Sequence, residues 1–217
     1  MDRTVAPTND TLIVWHTTGV KRLEDAQKRE VVVGSIGASG ITYMYPKMLS
    51  DMTGVKLRII TGYTGGGALN LAMERGEVEA RTNSWNGLRT SNPDWLRDGK
   101  ISMLVYSGRR QKDLAHIAHL DDVVTNPDDR RVARIVTNGS DLGHPFAMAA
   151  EVPMERVTSL RNAFAEMLGD PTFVKDATAL NIDVDPVTHD EMKQIIDDLF
   201  ATPEALRAKA RAYFEQK

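Results

Sequence analysis

The apolar positions of this chain change period in a repeating order. Thr11-Leu12-Ile13-Val14-Trp15 and Val31-Val32-Val33 are short continuous runs rich in β-branched residues, the pattern of strands covered on both faces. Between them, residues 20–26 read as a short helix or turn. The spacing then switches: Ile41, Met44, Tyr45, Met48, Leu49 and Met52 fall at i, i+3, i+4, i+7, i+8 and i+11, so a helix over 41–52 turns one apolar face to a sheet, with Ser39 as its expected N-cap. A strand over 55–60, a helix over 65–75 closing at Gly76, and strands over 78–82 and 101–106 follow. Strands alternating with helices predict an α/β fold built on a parallel-dominated sheet.

The second part of the chain reads as helical. Asn126-Pro127 opens a helix ending near Asn138-Gly139, after which the apolar run 144–150 reads as one more strand. Val157, Leu160, Phe164, Met167 and Leu168 share a helix face, and Asp170-Pro171 opens a helix carrying Phe173, Val174, Ala177 and Leu180. Thr188 and Glu191 have capping-box spacing ahead of Met192, Ile195, Ile196, Leu199 and Phe200, and Thr202-Pro203 starts a last helix with Leu206, Tyr213 and Phe214. The change near Gly143 marks a boundary between an α/β lobe and a second structural unit.

One device occurs twice, at 31–52 and 55–75: an apolar strand enters a glycine-rich turn that opens an amphipathic helix. The turns are Gly34-Ser35-Ile36-Gly37-Ala38-Ser39-Gly40 and Thr61-Gly62-Tyr63-Thr64-Gly65-Gly66-Gly67. Each lies where the unpaired amides of a helix N-terminus point, the arrangement that holds an anion. Contacts to such a ligand come from Ser35, Ala38, Ser39 and Gly40 in the first turn and from Tyr63, Thr64, Gly65 and Gly66 in the second, largely through backbone. Glycine turns also serve as plain strand-to-helix corners, and the residues alone leave both readings open.

Composition narrows the chemistry. The 217 residues are 41% hydrophobic and 26% charged, as in an ordinary globular protein, and 27 basic against 30 acidic residues give a formal charge of −3, with no basic field to draw in nucleic acid. Absence of cysteine removes thiol catalysis, thiolate metal sites and disulfides. His116 and His119 are three apart but have no third ligand nearby and read as surface residues, so no metal or cofactor is expected. The carboxylate pairs Asp121-Asp122, Asp128-Asp129 and Asp183 with Asp185 read as solvated charge, and neither a phosphate loop, a dinucleotide fingerprint nor a nucleophile elbow is present. No catalytic residue is expected. The start, Met1-Asp2-Arg3-Thr4 through a proline-containing stretch with Pro7, carries no signal-peptide pattern, and no run approaches a membrane span.

Residues 55–85 carry a resemblance. The strand, Thr61-Gly62-Tyr63-Thr64-Gly65-Gly66, the helix with Asn70-Leu71-Ala72-Met73-Glu74-Arg75-Gly76-Glu77-Val78, and Ser84-Trp85 are similar to the solute receptors of tripartite tricarboxylate transporters, the Bug-type periplasmic binding proteins. Gly19-Val20-Lys21-Arg22-Leu23-Glu24-Asp25, Pro93-Asp94-Trp95-Leu96-Arg97-Asp98-Gly99-Lys100, Gly143-His144-Pro145-Phe146 and Val152-Pro153 agree in order, so the similarity runs from about Thr11 onward.

The resemblance implies a periplasmic-binding-protein fold of type II and a non-catalytic receptor that closes around a small carboxylate and delivers it to a membrane permease in the periplasm. Asn83 stands about where many family members carry an aspartate, which places it as a contact for a polar ligand group and argues against ammonium recognition, and Trp85 walls the site. In this reading residues 18–142 are ligand-binding lobe two, while 1–17 and 143–217 belong to lobe one, whose upstream part, with a signal peptide and its own glycine-containing loop, has no counterpart here. A genuine start at Met1 would instead suit a cytoplasmic protein. Helix faces at Phe164, Phe173, Ile195 and Phe214 then lack part of their cover, and homodimerisation is expected. Two alternatives stay open: a cytoplasmic effector domain like those of LysR-type regulators, and an α/β enzyme that uses the turns for an anionic substrate.

Overall fold

The computed structural model describes residues 5–6, 8–182 and 184–215; Met1-Asp2-Arg3-Thr4, Pro7 and Asp183, which entered the sequence reading, lie outside the described residues. In chain order the elements are β1 (Asp10–Trp15), α1 (Leu23–Lys28), β2 (Val31–Gly34), α2 (Ile41–Thr53), β3 (Leu57–Ile60), α3 (Gly66–Glu74), β4 (Ala80–Ser84), α4 (Trp85–Ser91), α5 (Pro93–Arg97), β5 (Ile101–Tyr106), α6 (Leu120–Val123), α7 (Pro127–Leu142), α8 (Met154–Gly169), α9 (Pro171–Ala179), α10 (His189–Ala201) and α11 (Glu204–Phe214).

The strands form one five-stranded sheet in the order β3-β2-β4-β1-β5. β2 runs parallel to β3 and β4, and β1 runs antiparallel to both β4 and β5, so four strands share one direction and β1 opposes them. The expected parallel-dominated α/β sheet is present. Alternation along the strands sends side chains to two cores. Leu12, Val14, Val31 and Val33 meet α2, α7 and α11 through Met44, Tyr45, Leu49, Val132 and Tyr213, while Ile13 faces Met73, Leu88 and Trp95 of α3, α4 and α5. The result is a helix–sheet–helix sandwich with every parallel strand ending at one edge.

Local chemistry accounts for most boundaries. α2 buries Met44, Tyr45, Met48 and Leu49, as its spacing predicts, and stops at Gly54 in the left-handed conformation. Asn126 caps α7 by accepting from the amides of Asp128 and Asp129, Asp170 caps α9 in the same way, and Thr188 and Glu191 close the capping box on α10.

Four expectations fail. Ser39 is not the cap of α2: Gly40 takes that position with no side-chain hydrogen bond. α7 does not end at Gly139 but continues to Leu142, because Thr137 and Ser140 bury against the sheet and the φ of 63° that ends the helix is at Gly143. Residues 144–150 are irregular and pair with none of the five strands, and Phe146 is exposed, touching Phe164 with ring centroids 5.3 Å apart. His119 is buried rather than on the surface. Its Nε2 lies 2.9 Å from the Gly108 carbonyl, its Nδ1 accepts from the amide of Asp121, and its ring stands edge-on to Tyr106, so it is a structural link and the cap of α6.

α8 buries no side chain. Val157, Phe164, Met167 and Leu168 are half-buried and Leu160 is exposed, while Phe173 and Ile195 are half-buried and Phe214 is exposed. Among the described residues no helix is long and apolar enough to cross a membrane.

Candidate functional site

In an open α/β sheet the crevice forms outside the carboxyl ends of the strands, where neighbouring connections leave in opposite directions. Here that point lies between β2 and β4: β2 continues through α2 on one face, and α3, on the other face, leads back into β4. Both glycine turns open onto it. Ser35 donates its amide to the Ile60 carbonyl at 2.8 Å and Tyr63 donates to the Ser35 carbonyl at 3.4 Å, so the two turns lie side by side.

Each turn has a local reason for its shape. A Cβ on Gly34 would lie 2.6 Å from Leu69 Cδ2 and 3.1 Å from Val78, so any side chain there would push these residues aside where β2 passes under α3. Gly62 holds φ at 108°, which reverses the chain after β3. Ser35 is fully buried; its hydroxyl bonds the Gly37 carbonyl at 3.0 Å and pairs with Thr42 Oγ1 at 3.0 Å, while Thr42 Oγ1 also accepts from the Ile36 amide. These bonds hold the first turn closed, leaving Ala38 half-buried and Ser39 and Gly40 exposed at its rim.

In the second turn Tyr63 packs against the α3-side core, Thr64 is exposed, and Gly65 and Gly66 are half-buried. Among the described residues nothing would meet a Cβ on Gly65 or Gly67, so the start of α3 faces open space. Asn83 and Trp85 sit at the end of β4. Asn83 Oδ1 accepts from the Ser84 amide at 2.9 Å, and the half-buried Trp85 packs on the same core with the Arg89 guanidinium 5.8 Å from its ring centroid. All ten residues singled out in the sequence therefore lie at one edge of the sheet, around the turns that follow β2, β3 and β4.

The structure adds a residue that motif reading passed over. Arg81 of β4 stands opposite Gly34 on β2 and Ile13 on β1, and is only 5% exposed. Nε donates to the Thr82 carbonyl, and Nη1 donates to the Gly66 carbonyl at 2.7 Å and to Asn70 Oδ1 at 2.5 Å. Burial pushes its pKa down to about 10. Its signal was in the sequence: an arginine inside Ala80-Arg81-Thr82-Asn83, a strand with no exposed face, is a charge where the fold offers no water.

Beyond β4, at the same edge, a buried polar group ties three segments together. Asn9 Nδ2 donates to the Ser107 and Arg109 carbonyls, the Thr8 amide donates to the Ser140 carbonyl, and Ser140 Oγ donates to Asp10 Oδ2 at 2.5 Å. Burial raises the pKa of Asp10, with the Ser140 bond opposing it more weakly. Below the unfolded value of 3.8 both states are protonated; as pH rises through that value and then the raised native one, ionisation disfavours the native state alone. Asp10→Asn is therefore expected to stabilise the protein at pH 7 by roughly 1 kcal/mol, worth about 2–4 °C in melting temperature for a chain of this size. The gain should shrink towards zero in urea titrations carried down to the ordinary aspartate value, and a gain that does not depend on pH would contradict this account.

Among the described residues no group of three or more His, Asp or Glu side chains is placed to hold a metal. A scan of protein families and a search of curated proteins return no match. Solved structures do match. A TctC solute-binding protein from Polaromonas superposes with a TM-score of 0.67 at 18% identity, covering 95% of this chain and 68% of its own. Rpa4515 of R. palustris with adipate gives 0.62 at 18% identity over 97% of this chain and 69% of its own, and MatC from Rhodopseudomonas palustris with bound malate gives 0.55 at 15% over 97% and 68%. The fold is that of the periplasmic solute-binding proteins, among them TctC and Bug-type members.

Proposed function

We propose that this chain is a non-catalytic receptor for a small organic carboxylate, working in the periplasm and passing its ligand to a tripartite tricarboxylate-type membrane transporter. The observation that carries the reading is the pair of glycine turns held side by side at the carboxyl edge of a sheet whose fold neighbours include proteins with adipate and malate bound. Amides at the starts of α2 and α3 suit a carboxylate, each hydrogen bond to a charged group contributing about 1.5–3 kcal/mol. Ala38, Ser39, Gly40, Tyr63, Thr64, Gly65, Gly66 and Asn83 supply the contacts, Ser35 shapes the first turn, and Trp85 forms a wall. Residues 18–142 carry the ligand-binding turns, with β1 completing their sheet and α11 packed into its core, and the remainder of 143–217 is assigned to the other lobe.

The enzyme reading is weaker on a specific ground. Asp10 and Asp141, two half-buried carboxyls whose pKa burial raises, belong to the Ser140 end of α7 and not to the glycine turns, and Asp10 lies across β4 from them, bonded to Ser140. A melting-temperature screen of mono-, di- and tricarboxylates with their amides as controls tests the proposal. A matching acid at about a hundred times its Kd adds about 2.7 kcal/mol, which for a chain of this size raises the melting temperature by roughly 5–10 °C. Equal shifts from acids and amides, or turnover of any acid, would overturn it.

A further inference from the structure

The start of α3 gathers positive charge that no carboxylate among the described residues pairs with. The helix N-terminus is the positive end of the α3 dipole, and Arg81 lies directly beneath it with Nη2 3.4 Å from where a Cβ on Gly66 would stand. A cation is disfavoured at a helix N-terminus, and a guanidinium this deeply buried is disfavoured again without a counter-ion. Arg81 makes no ion pair with any carboxylate among the described residues, whereas Arg29, Arg58, Arg109 and Arg110 all do. Its Nε and Nη1 are held by Thr82, Gly66 and Asn70, and Asn70 is itself tied to Asn92, so the plane of the guanidinium is fixed while Nη2 donates to no described residue. A residue serving only to prop α3 would be better placed there as a neutral or acidic side chain.

We infer that Arg81 is a specificity-determining residue of this crevice, its Nη2 pairing with the anionic group of a ligand seated at the Gly65-Gly66-Gly67 turn. The inference rests on the carboxylate-receptor reading and deepens it. It makes ligand charge, and not only ligand shape, a condition of binding at α3: a fully ionised organic acid is accepted, and its amide or ester is refused. The free protein carries the cost of an unpaired buried charge, and the ligand relieves it.

The test is calorimetric titration of malate and of adipate into the whole chain and into two variants, with melting curves recorded without added anion. Arg81→Met keeps the bulk and removes the charge; Arg81→Lys keeps the charge and loses the planar fork. The expected result is that Arg81→Met binds at least about tenfold more weakly, that Arg81→Lys recovers part of that loss, and that Arg81→Met melts no lower than the unaltered protein when no anion is present. If Arg81→Met binds the acids as tightly as the unaltered protein, the inference falls and the receptor reading stands. If both variants bind equally weakly and melt well below the unaltered protein, Arg81 is a packing residue and the inference falls again. If the unaltered protein binds neither these acids nor any other, both fall together.

Discussion

Gly66→Pro is expected to weaken carboxylate binding by about ten- to a hundredfold while leaving the fold intact, because it deletes one charged-group hydrogen bond worth roughly 1.5–3 kcal/mol. Gly66 is the first residue of α3, where proline is the favoured helix starter and has no intrahelical bond to lose. Gly65 before it is fully extended, with φ 165° and ψ −176°, and so avoids the α region that a following proline disfavours. A Cβ at this position would meet the Arg81 guanidinium at ordinary contact distance, 3.4–3.6 Å. Few substitutions remove a backbone donor so cleanly. Calorimetry on the variant, beside a melting curve within a few degrees of the unaltered protein, gives the answer; unchanged affinity would show that the α3 amides take no part in binding.

The largest loss of stability is expected from Trp95→Ala, at about 3–5 kcal/mol, or roughly 6–20 °C in melting temperature. Trp95 is 1% exposed in the core beneath α3, stacks edge-on to Trp15 with centroids 5.0 Å apart, and donates Nε1 to Glu74 at the far end of α3. Its removal leaves a cavity under the helix whose N-terminus forms the second turn, so binding should weaken along with stability. Urea denaturation of the variant measures the first effect, and a loss below about 1 kcal/mol would mean that this core relaxes around the gap.

The reach of the sequence reading follows from how local each cause is. α2 was legible because six apolar residues at helical spacing need only one sheet to pack against, and the caps at Asn126, Asp170 and Thr188 because the bonds that make a cap lie within three residues. The glycine turns were legible because strand, turn and helix are consecutive. What failed depended on distant partners. Residues 144–150 have a strand's composition but join no sheet edge, and His119 looks like a surface histidine until Gly108 and Tyr106 close around it. The helix over 127–142 outruns Gly139 because Ser140 bonds Asp10 from the other end of the chain. Arg81 was visible as a charge in a strand, but its meaning required knowing that α3 begins above it and that no carboxylate among the described residues pairs with it. Ser35 belongs with these: it was named as a ligand contact, and the structure spends its hydroxyl on Gly37 and Thr42.

These residues converge on one claim, that a carboxylate sits against the starts of α2 and α3 between β2 and β4. The measurement that tests it most directly is amide chemical-shift mapping of the whole chain during titration with malate or adipate. The account predicts saturable shifts concentrated at residues 36–42 and 63–68, spreading to Asn83 and Trp85, with little change around the Asn9, Ser107 and Ser140 group. An absence of shifts up to about 10 mM, ten times a Kd of about 1 mM or about −4 kcal/mol, or shifts centred away from both glycine turns, would contradict it.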